Sequence, residues 1–362
     1  MTAHDRSHSE LGATSSRLPL IALTMGDVAG IGPEVIARTC AQSGLGEFCR
    51  PLVVGHPEIL SAAAELTGLE LDIAVVSSPA EVDPQSTSIP CWNPADDDVL
   101  QVPRGTHDAR AGRAACDYLV AAARAALAGS VDAVTTAPLN KRALHLAGHD
   151  YPGHTEILAE ECGAEAFAMM LYLSPGEVPA GPHGLGVAHV TLHTSIASVP
   201  QLLTKCGIEV KIELLAEFMK SLGCRAPRIG VCALNPHAGE SGLFGDEEAA
   251  LIAPAVAAAR DKRLDVTGPL PADTLLLRAL QGEFDAVVAM YHDQGHIALK
   301  LIGFDRAVNV TLGLPIVRTS PSHGTAFEIA WQGRARSAGM FEAVRTAALL
   351  VEGRRTLRAE VH

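Results

Sequence analysis

Three short apolar runs, each closing on a histidine-bearing polar cluster, constrain this chain more than any other feature. Gly186 to Leu192 (GVAHVTL) leads into His193, and Ile229 to Leu234 (IGVCAL) into Asn235-Pro236-His237. Ala286 to Met290 leads into Tyr291-His292-Asp293-Gln294-Gly295. Continuous apolar runs of this length read as strands buried on both faces, as in parallel sheets covered by helices. Parallel strands deliver their carboxyl ends to one edge, where open α/β sheets bind ligands. The pattern predicts an α/β chain in which His193, His237 and His292 converge. Three neutral imidazoles with an open position are the donor set of a catalytic metal site. Singly, each His reads as a polar loop residue after a strand, and only the repetition points to metal.

Upstream, strand Leu18 to Met25 runs into Gly26 to Glu34, a glycine-rich turn with Pro33 and Glu34 placed to open a helix. Such a turn takes a phosphate or is a tight connection; it matches neither the dinucleotide fingerprint nor the Walker loop. Strands near Leu52, Leu71 and Ala133 alternate with helices Pro57 to Thr67 and Ala109 to Ala128, while 78 to 107 reads as a long loop. His154 and Thr155 open the next helix. Backbone N–H groups and a cationic or donor side chain there can hold a phosphate, or Thr155 is simply a cap. Residues 174 to 186 read as an exposed hairpin or lid with His183 on its surface. Helices are expected over Ser195 to Lys205, with a breaker at Pro200, over Glu209 to Leu222, after a cap at Asp273 or Thr274, and over Phe327 to Trp331. Lys300, Asn309 and Arg318 supply a point charge, an amide and a bidentate clamp for an anionic, hydroxylated substrate, unless they are solvated surface residues.

At 362 residues the chain exceeds what one core usually supports, so two domains are expected. A formal charge of -13 argues against nucleic acid and anionic membrane as partners but permits an anionic substrate in a locally cationic cleft. Eight cysteines without a C-x-x-C pair fit reduced thiols. Residues 1 to 16 read as a disordered tail without an export signal, and no apolar run reaches membrane-spanning length, so a cytoplasmic location is expected.

The segments MGDVAGIGPE (25 to 34), TAPLNK (136 to 141), YPGHTE (151 to 156), NPHAGE (235 to 240), GPLPADT (268 to 274), MYHDQG (290 to 295) and VNVTLGLPIVRTSPSHGTAFEIA (308 to 330) occur in this order. Together they make the chain resemble, over nearly its whole length, the 4-hydroxythreonine-4-phosphate dehydrogenases of pyridoxal phosphate synthesis and their paralogues. The resemblance implies a two-domain α/β/α fold like that of isocitrate and isopropylmalate dehydrogenases, with the active site in the interdomain cleft. It places a nucleotide-side domain over 17 to 135 plus 305 to 362, and a metal, substrate and dimerisation domain over 136 to 304. It further implies a homodimer with a shared site, and one divalent metal (Zn, Mg, Co or Mn) at His193, His237 and His292. Substrate contacts are implied at His154, Thr155, Lys300, Asn309 and Arg318, and NAD or NADP at His323, Gly324, Thr325 and Ala326. The implied reaction oxidises and decarboxylates 4-phosphohydroxy-L-threonine to 3-amino-2-oxopropyl phosphate. A metal-bound water, Lys300 and Asp293 are the candidates to take the hydroxyl proton.

Several residues depart from the biosynthetic pattern. Val28 replaces the usual proline, His296 follows the DQG motif, and the 174 to 186 insert is long. HVTLH, TAPLNK and GLFGDEE look more like the paralogues that oxidise D-threonate or D-erythronate 4-phosphate. A cis-dihydrodiol dicarboxylate is a further alternative substrate. The rival from another class, a non-redox metal hydrolase or phosphate-dependent acyltransferase, predicts no NAD dependence.

Overall fold

The apolar runs pair into one mixed twelve-stranded sheet. This computed structural model describes residues 17–176 and 181–361. The expected tail, 1 to 16, and the middle of the 174 to 186 insert, 177–180, lie outside the described residues.

The strands are β1 (Leu20–Thr24), β2 (Arg50–Val54), β3 (Ile73–Val76), β4 (Ile89–Trp92), β5 (Ala133–Thr136) and β6 (Ala168–Leu173), then β7 (Leu185–His189), β8 (Arg228–Cys232), β9 (Asp265–Leu270), β10 (Ala286–Ala289), β11 (Val308–Leu312) and β12 (Arg318–Pro321). The helices are α1 (Gly32–Cys40), α2 (Pro57–Leu66), α3 (Ala109–Leu127), α4 (Lys141–Leu146), α5 (His154–Cys162) and α6 (Val199–Leu202), then α7 (Lys205–Ser221), α8 (Ala253–Asp261), α9 (Ala272–Leu280), α10 (His292–Gly303) and α11 (Ala338–Val361).

Strand order is β3-β4-β2-β1-β5-β12-β11-β6-β7-β10-β8-β9. From β3 to β12 every pairing is parallel; β12/β11, β11/β6 and β6/β7 are antiparallel; from β7 to β9 all are parallel again. Three reversals make the two parallel halves run in opposite directions. The three histidine-bearing strands are adjacent and parallel, as predicted: β7 pairs with β10, and β10 with β8.

Side-chain alternation explains why these runs are apolar throughout. In β6, β7 and β10, Leu171, Leu173, Leu185, Val187, Val287 and Ala289 pack with Leu275 of α9 and Leu299 of α10. Their neighbours Met170, Tyr172, Ala188, Ala286 and Val288 pack in the other cluster, with Ile208, Ile212 and Leu215 of α7. Helices therefore cover both faces, the α/β/α layering expected.

Local expectations were corrected in five places. The loop at 78 to 107 contains β4, which pairs with both β2 and β3. Pro200 is not a breaker but sits in the first turn of α6, and α7 begins at Lys205, capped by Thr204. The N-cap of α9 is Pro271, with no side-chain cap; Thr274 donates to the Pro271 carbonyl instead. Residues 327 to 331 form a turn, with Trp331 at φ 59, rather than a helix. His183 is a tether, its Nδ1 lying 3.1 Å from the Leu222 carbonyl and its own carbonyl accepting from the Tyr172 hydroxyl.

Candidate active site

At the reversal, side chains of β5, β6, β11 and β12 line a cavity. Register places Asn309 of β11 opposite both Leu171 of β6 and Ser320 of β12, and Arg318 of β12 opposite Val134 of β5. Thr136, Arg318, Ser320, Asn309, Leu171 and Met169 floor a cavity of about 330 Å3. Its walls carry Lys141, His154, Thr155 and Glu156 on one side, His193 and His296 on another, and His323 and Gly324 on a third. The cavity thus unites five of the expected site residues, His154, Thr155, Asn309, Arg318 and His193, with His323 and Gly324 of the expected cofactor loop.

Arg318 is the deepest charge. Nη1 donates to Thr311 Oγ1 at 3.0 Å and Nη2 to Thr136 Oγ1 at 2.7 Å, while Nε is buried without a partner. Burial lowers its pKa to about 10, against the opposing influence of Glu156. A guanidinium buried without a paired carboxylate is arranged to receive an anion. Asn309 Oδ1 and His323 Nε2 are likewise buried and unpartnered.

Beside Arg318, α5 begins at Gly153, with no side-chain cap. Thr155 is therefore not the cap, and the first-turn N–H groups remain free for an anion. His154 is held by a backbone carbonyl. Its Nε2 lies 3.1 Å from the Ala137 carbonyl, so that nitrogen carries the hydrogen, and burial, reinforced by Arg318, holds the ring well below its ordinary pKa. The ring is neutral and its Nδ1 is an acceptor.

The expected metal ligands divide. His193 and His292 face each other with centroids 5.9 Å apart. Burial, with the charges of Lys141 and His292, holds His193 below its ordinary pKa, the direction that favours metal binding. His292 Nδ1 lies 2.6 Å from Asp293 Oδ1, which fixes the tautomer and leaves Nε2 available. Asp293, a candidate base, is thus a partner of His292.

His237 instead lies against Phe244, with centroids 6.5 Å apart. It begins a run of six consecutive residues with positive φ, His237 to Gly242, a left-handed turn. Glu248 braces that turn, accepting from Leu234 N at 2.9 Å, Asn235 N at 2.8 Å and Asn235 Nδ2 at 3.0 Å. Within one chain, no group of three or more His, Cys, Asp or Glu side chains is arranged around a metal position among the described residues.

Lys300 stands outside the cavity lining, half-buried on α10 with Nζ 5.8 Å from the Phe304 ring centroid. Its charge is nonetheless felt at His296 and His323. Thr325 and Ala326 also stand outside the lining: the Thr325 carbonyl accepts from Ile31 N at 3.0 Å. The first glycine-rich turn is itself closely packed. A Cβ at Gly26 would stand 2.3 Å from the Pro138 carbonyl, one at Gly30 2.9 Å from Thr325 O, and one at Gly32 2.2 Å from Met25 O.

The residues not anticipated as site groups are Lys141, Glu156, Gln294 and the pair His189 and His296. Gln294 links the ends of two histidine strands, accepting from Met290 N at 2.7 Å and donating to the Ala233 carbonyl at 2.8 Å. Lys141 lay inside a quoted segment, TAPLNK, and its position at the start of α4 was the available signal.

Residues 47–347 match the family described as "Pyridoxal phosphate biosynthetic protein PdxA". A D-threonate 4-phosphate dehydrogenase of Cupriavidus necator is 45% identical over 345 residues, 94% of this chain and 99% of that protein. A 4-hydroxythreonine-4-phosphate dehydrogenase of Geobacter metallireducens is 46% identical over 330 residues, 91% of this chain and 95% of that protein. The crystal structure of 4-hydroxythreonine-4-phosphate dehydrogenase from Klebsiella pneumoniae superposes with a TM-score of 0.82 at 43% identity, covering 92% of this chain and 99% of that one.

Proposed function

From the premise that this chain belongs to the PdxA family of dehydrogenases acting on phosphorylated hydroxy acids, we propose that it carries out the NAD-dependent, divalent-metal-dependent oxidation and decarboxylation of a four-carbon 3-hydroxy acid 4-phosphate. The substrates in view are 4-phosphohydroxy-L-threonine and D-threonate or D-erythronate 4-phosphate. The observation that carries the reading is a buried, unpaired Arg318 beside the uncapped start of α5, in a cavity that also holds His193 and His323.

Arg318 and the first-turn N–H groups of α5 hold the substrate's anionic groups, and Asn309 Oδ1 accepts from a hydroxyl. Asp293 orients His292 so that, with His193, it offers neutral imidazole nitrogen to a metal; His237 completes that set from a second copy of the chain in the shared-site homodimer. His323 and Gly324 border the position for the nicotinamide cofactor. A bound metal would supply Lewis acidity at the histidine set, and NAD would supply a hydride acceptor. The C3 carbon gives up hydride, its hydroxyl gives up a proton, and the resulting 3-oxo acid loses its carboxylate as carbon dioxide, the bonding pair passing to C2. Lys300 remains the chain's candidate to receive the hydroxyl proton.

The test is NADH formation by metal-loaded protein with the three substrates side by side. A far higher kcat/KM for one of them supports the reading. Silence with all three, in folded metal-loaded protein, overturns it.

A further inference from the structure

His296 lines the cavity, yet no role above accounts for it. Its Nδ1 lies 3.1 Å from Nε2 of His189, the last residue of β7, whose own Nδ1 lies 3.4 Å from the Met169 carbonyl. A carbonyl can only accept, so His189 carries its hydrogen on Nδ1 and presents a lone pair at Nε2. His296 must then carry its hydrogen on Nδ1. Its Nε2 is then the acceptor nitrogen of a ring that lines the cavity.

The arrangement is rigidly held. The His296 ring stacks on His292 at 3.7 Å with an interplanar angle of 14°. Gly295 makes room for the pair: a Cβ there would stand 2.6 Å from His189 Nε2 and 2.7 Å from Val187 Cγ1. Turning the His296 ring over would set carbon against the His189 lone pair.

The cavity's charged lining is Lys141 and Arg318 against the single carboxylate Glu156. Such a lining favours added negative charge and opposes a further cation. An acceptor beside His292 therefore suits a neutral hydroxyl better than an ammonium group. We propose that His296, oriented by His189, is a specificity-determining residue that accepts a hydrogen bond from a hydroxyl on substrate carbon 2, selecting 2,3-dihydroxy acid phosphates over their 2-amino counterparts. The inference rests on the proposed reaction and places that carbon beside His292.

The experiment compares wild type, His296→Leu and His296→Gln, full-length and metal-loaded, on D-threonate 4-phosphate, D-erythronate 4-phosphate and 4-phosphohydroxy-L-threonine. Wild type is expected to favour a dihydroxy substrate. His296→Leu should lower kcat/KM for it by roughly 10- to 100-fold, the loss of one substrate hydrogen bond, while changing the amino substrate less than about threefold. His296→Gln, which keeps an acceptor and a donor, should recover part of the preference. A parallel fall on both substrate types, or a wild type that prefers the amino substrate, overturns the inference. Calorimetric binding of the same compounds separates the two proposals. A wild type without turnover sinks the reaction, and equal affinity for dihydroxy and amino compounds sinks the role of His296.

Discussion

Replacing Arg318 with methionine should leave the empty protein as stable as before, or more so, while crippling substrate use. The side chain is 2% exposed and forms no ion pair among the described residues. A base whose folded pKa lies below its unfolded value is destabilised by its charge at every pH under the folded pKa, and the penalty vanishes only above the unfolded one. For Arg318, lowered to about 10 chiefly by burial, that penalty is present at neutral pH and is on the order of 3 kcal/mol. Methionine removes it but strands the hydroxyls of Thr136 and Thr311, at about 1 kcal/mol each. The net expectation lies between no change and about 2 kcal/mol of added stability, a Tm higher by at most a few degrees. Substrate loses a buried, charge-assisted partner worth roughly 3 to 5 kcal/mol, or about two to four orders of magnitude in kcat/KM. Melting curves with and without inorganic phosphate, beside steady-state kinetics, check both halves: phosphate should raise the Tm of wild type and not that of Arg318→Met. A variant that melts several degrees below wild type without ligand would show that Arg318 is a structural strut, and the reasoning would fail.

Gly26→Ala and Gly32→Ala should each cost roughly 1 to 3 kcal/mol in chemical denaturation, because their Cβ atoms meet backbone carbonyls, with the surviving fold keeping its cofactor affinity. Weakened NAD binding at unchanged stability would restore the turn as a phosphate cradle. Acid should unfold the protein early. Burial holds His189 near a pKa of about 4, so its contribution is intact above about pH 6.5 and is lost as pH falls toward 4, roughly 2 kcal/mol by pH 5; buried His154 adds in the same direction. Urea midpoints that stay level from pH 7 to pH 5 would contradict this. Finally, His237→Ala and His292→Ala should each be inactive alone, yet mixed and reassociated chains should recover about a quarter of wild-type activity if each site draws on two copies. No recovery from properly mixed dimers would rule out the shared site.

How much of this was legible follows from what each feature depends on. The adjacency and common direction of β7, β8 and β10 were readable because a strand buried on both faces must be apolar at successive positions. The approach of His193 to His292 followed from that. Strand β4 was not readable: IPCW is a short segment inside a Pro- and Ser-rich stretch, and only pairing with β2 and β3 makes it a strand. The place of His237 was hidden for a similar reason. Its left-handed turn is held by Glu248, eleven residues further on and across the chain's own fold. The tautomer of His154 was not readable, since the Ala137 carbonyl that fixes it sits on a different loop. His296 was visible as a departure from the family pattern, but its polarity depends on His189 and Met169, both distant in sequence.

The strand reversal at the centre of the sheet also decides what kind of site this can be. Because the two parallel halves run oppositely, the loop after β5 and the loop after β7 leave toward opposite edges, and a site using both must lie over a face between them. Its floor is then set by backbone register, which aligns Ser320, Asn309 and Leu171 on neighbouring strands and resists change one residue at a time. Its walls come from loops and helix starts, where substitution costs less. In the proposed reaction Arg318 on the floor binds the anion, while His296 stands in the wall one residue beyond Gly295, where a Cβ would meet His189. A common reaction with a variable carbon-2 substituent is what such a division would permit: on that proposal the floor keeps the phosphorylated acid in place, and an exchange at position 296 alters which neighbouring group is accepted.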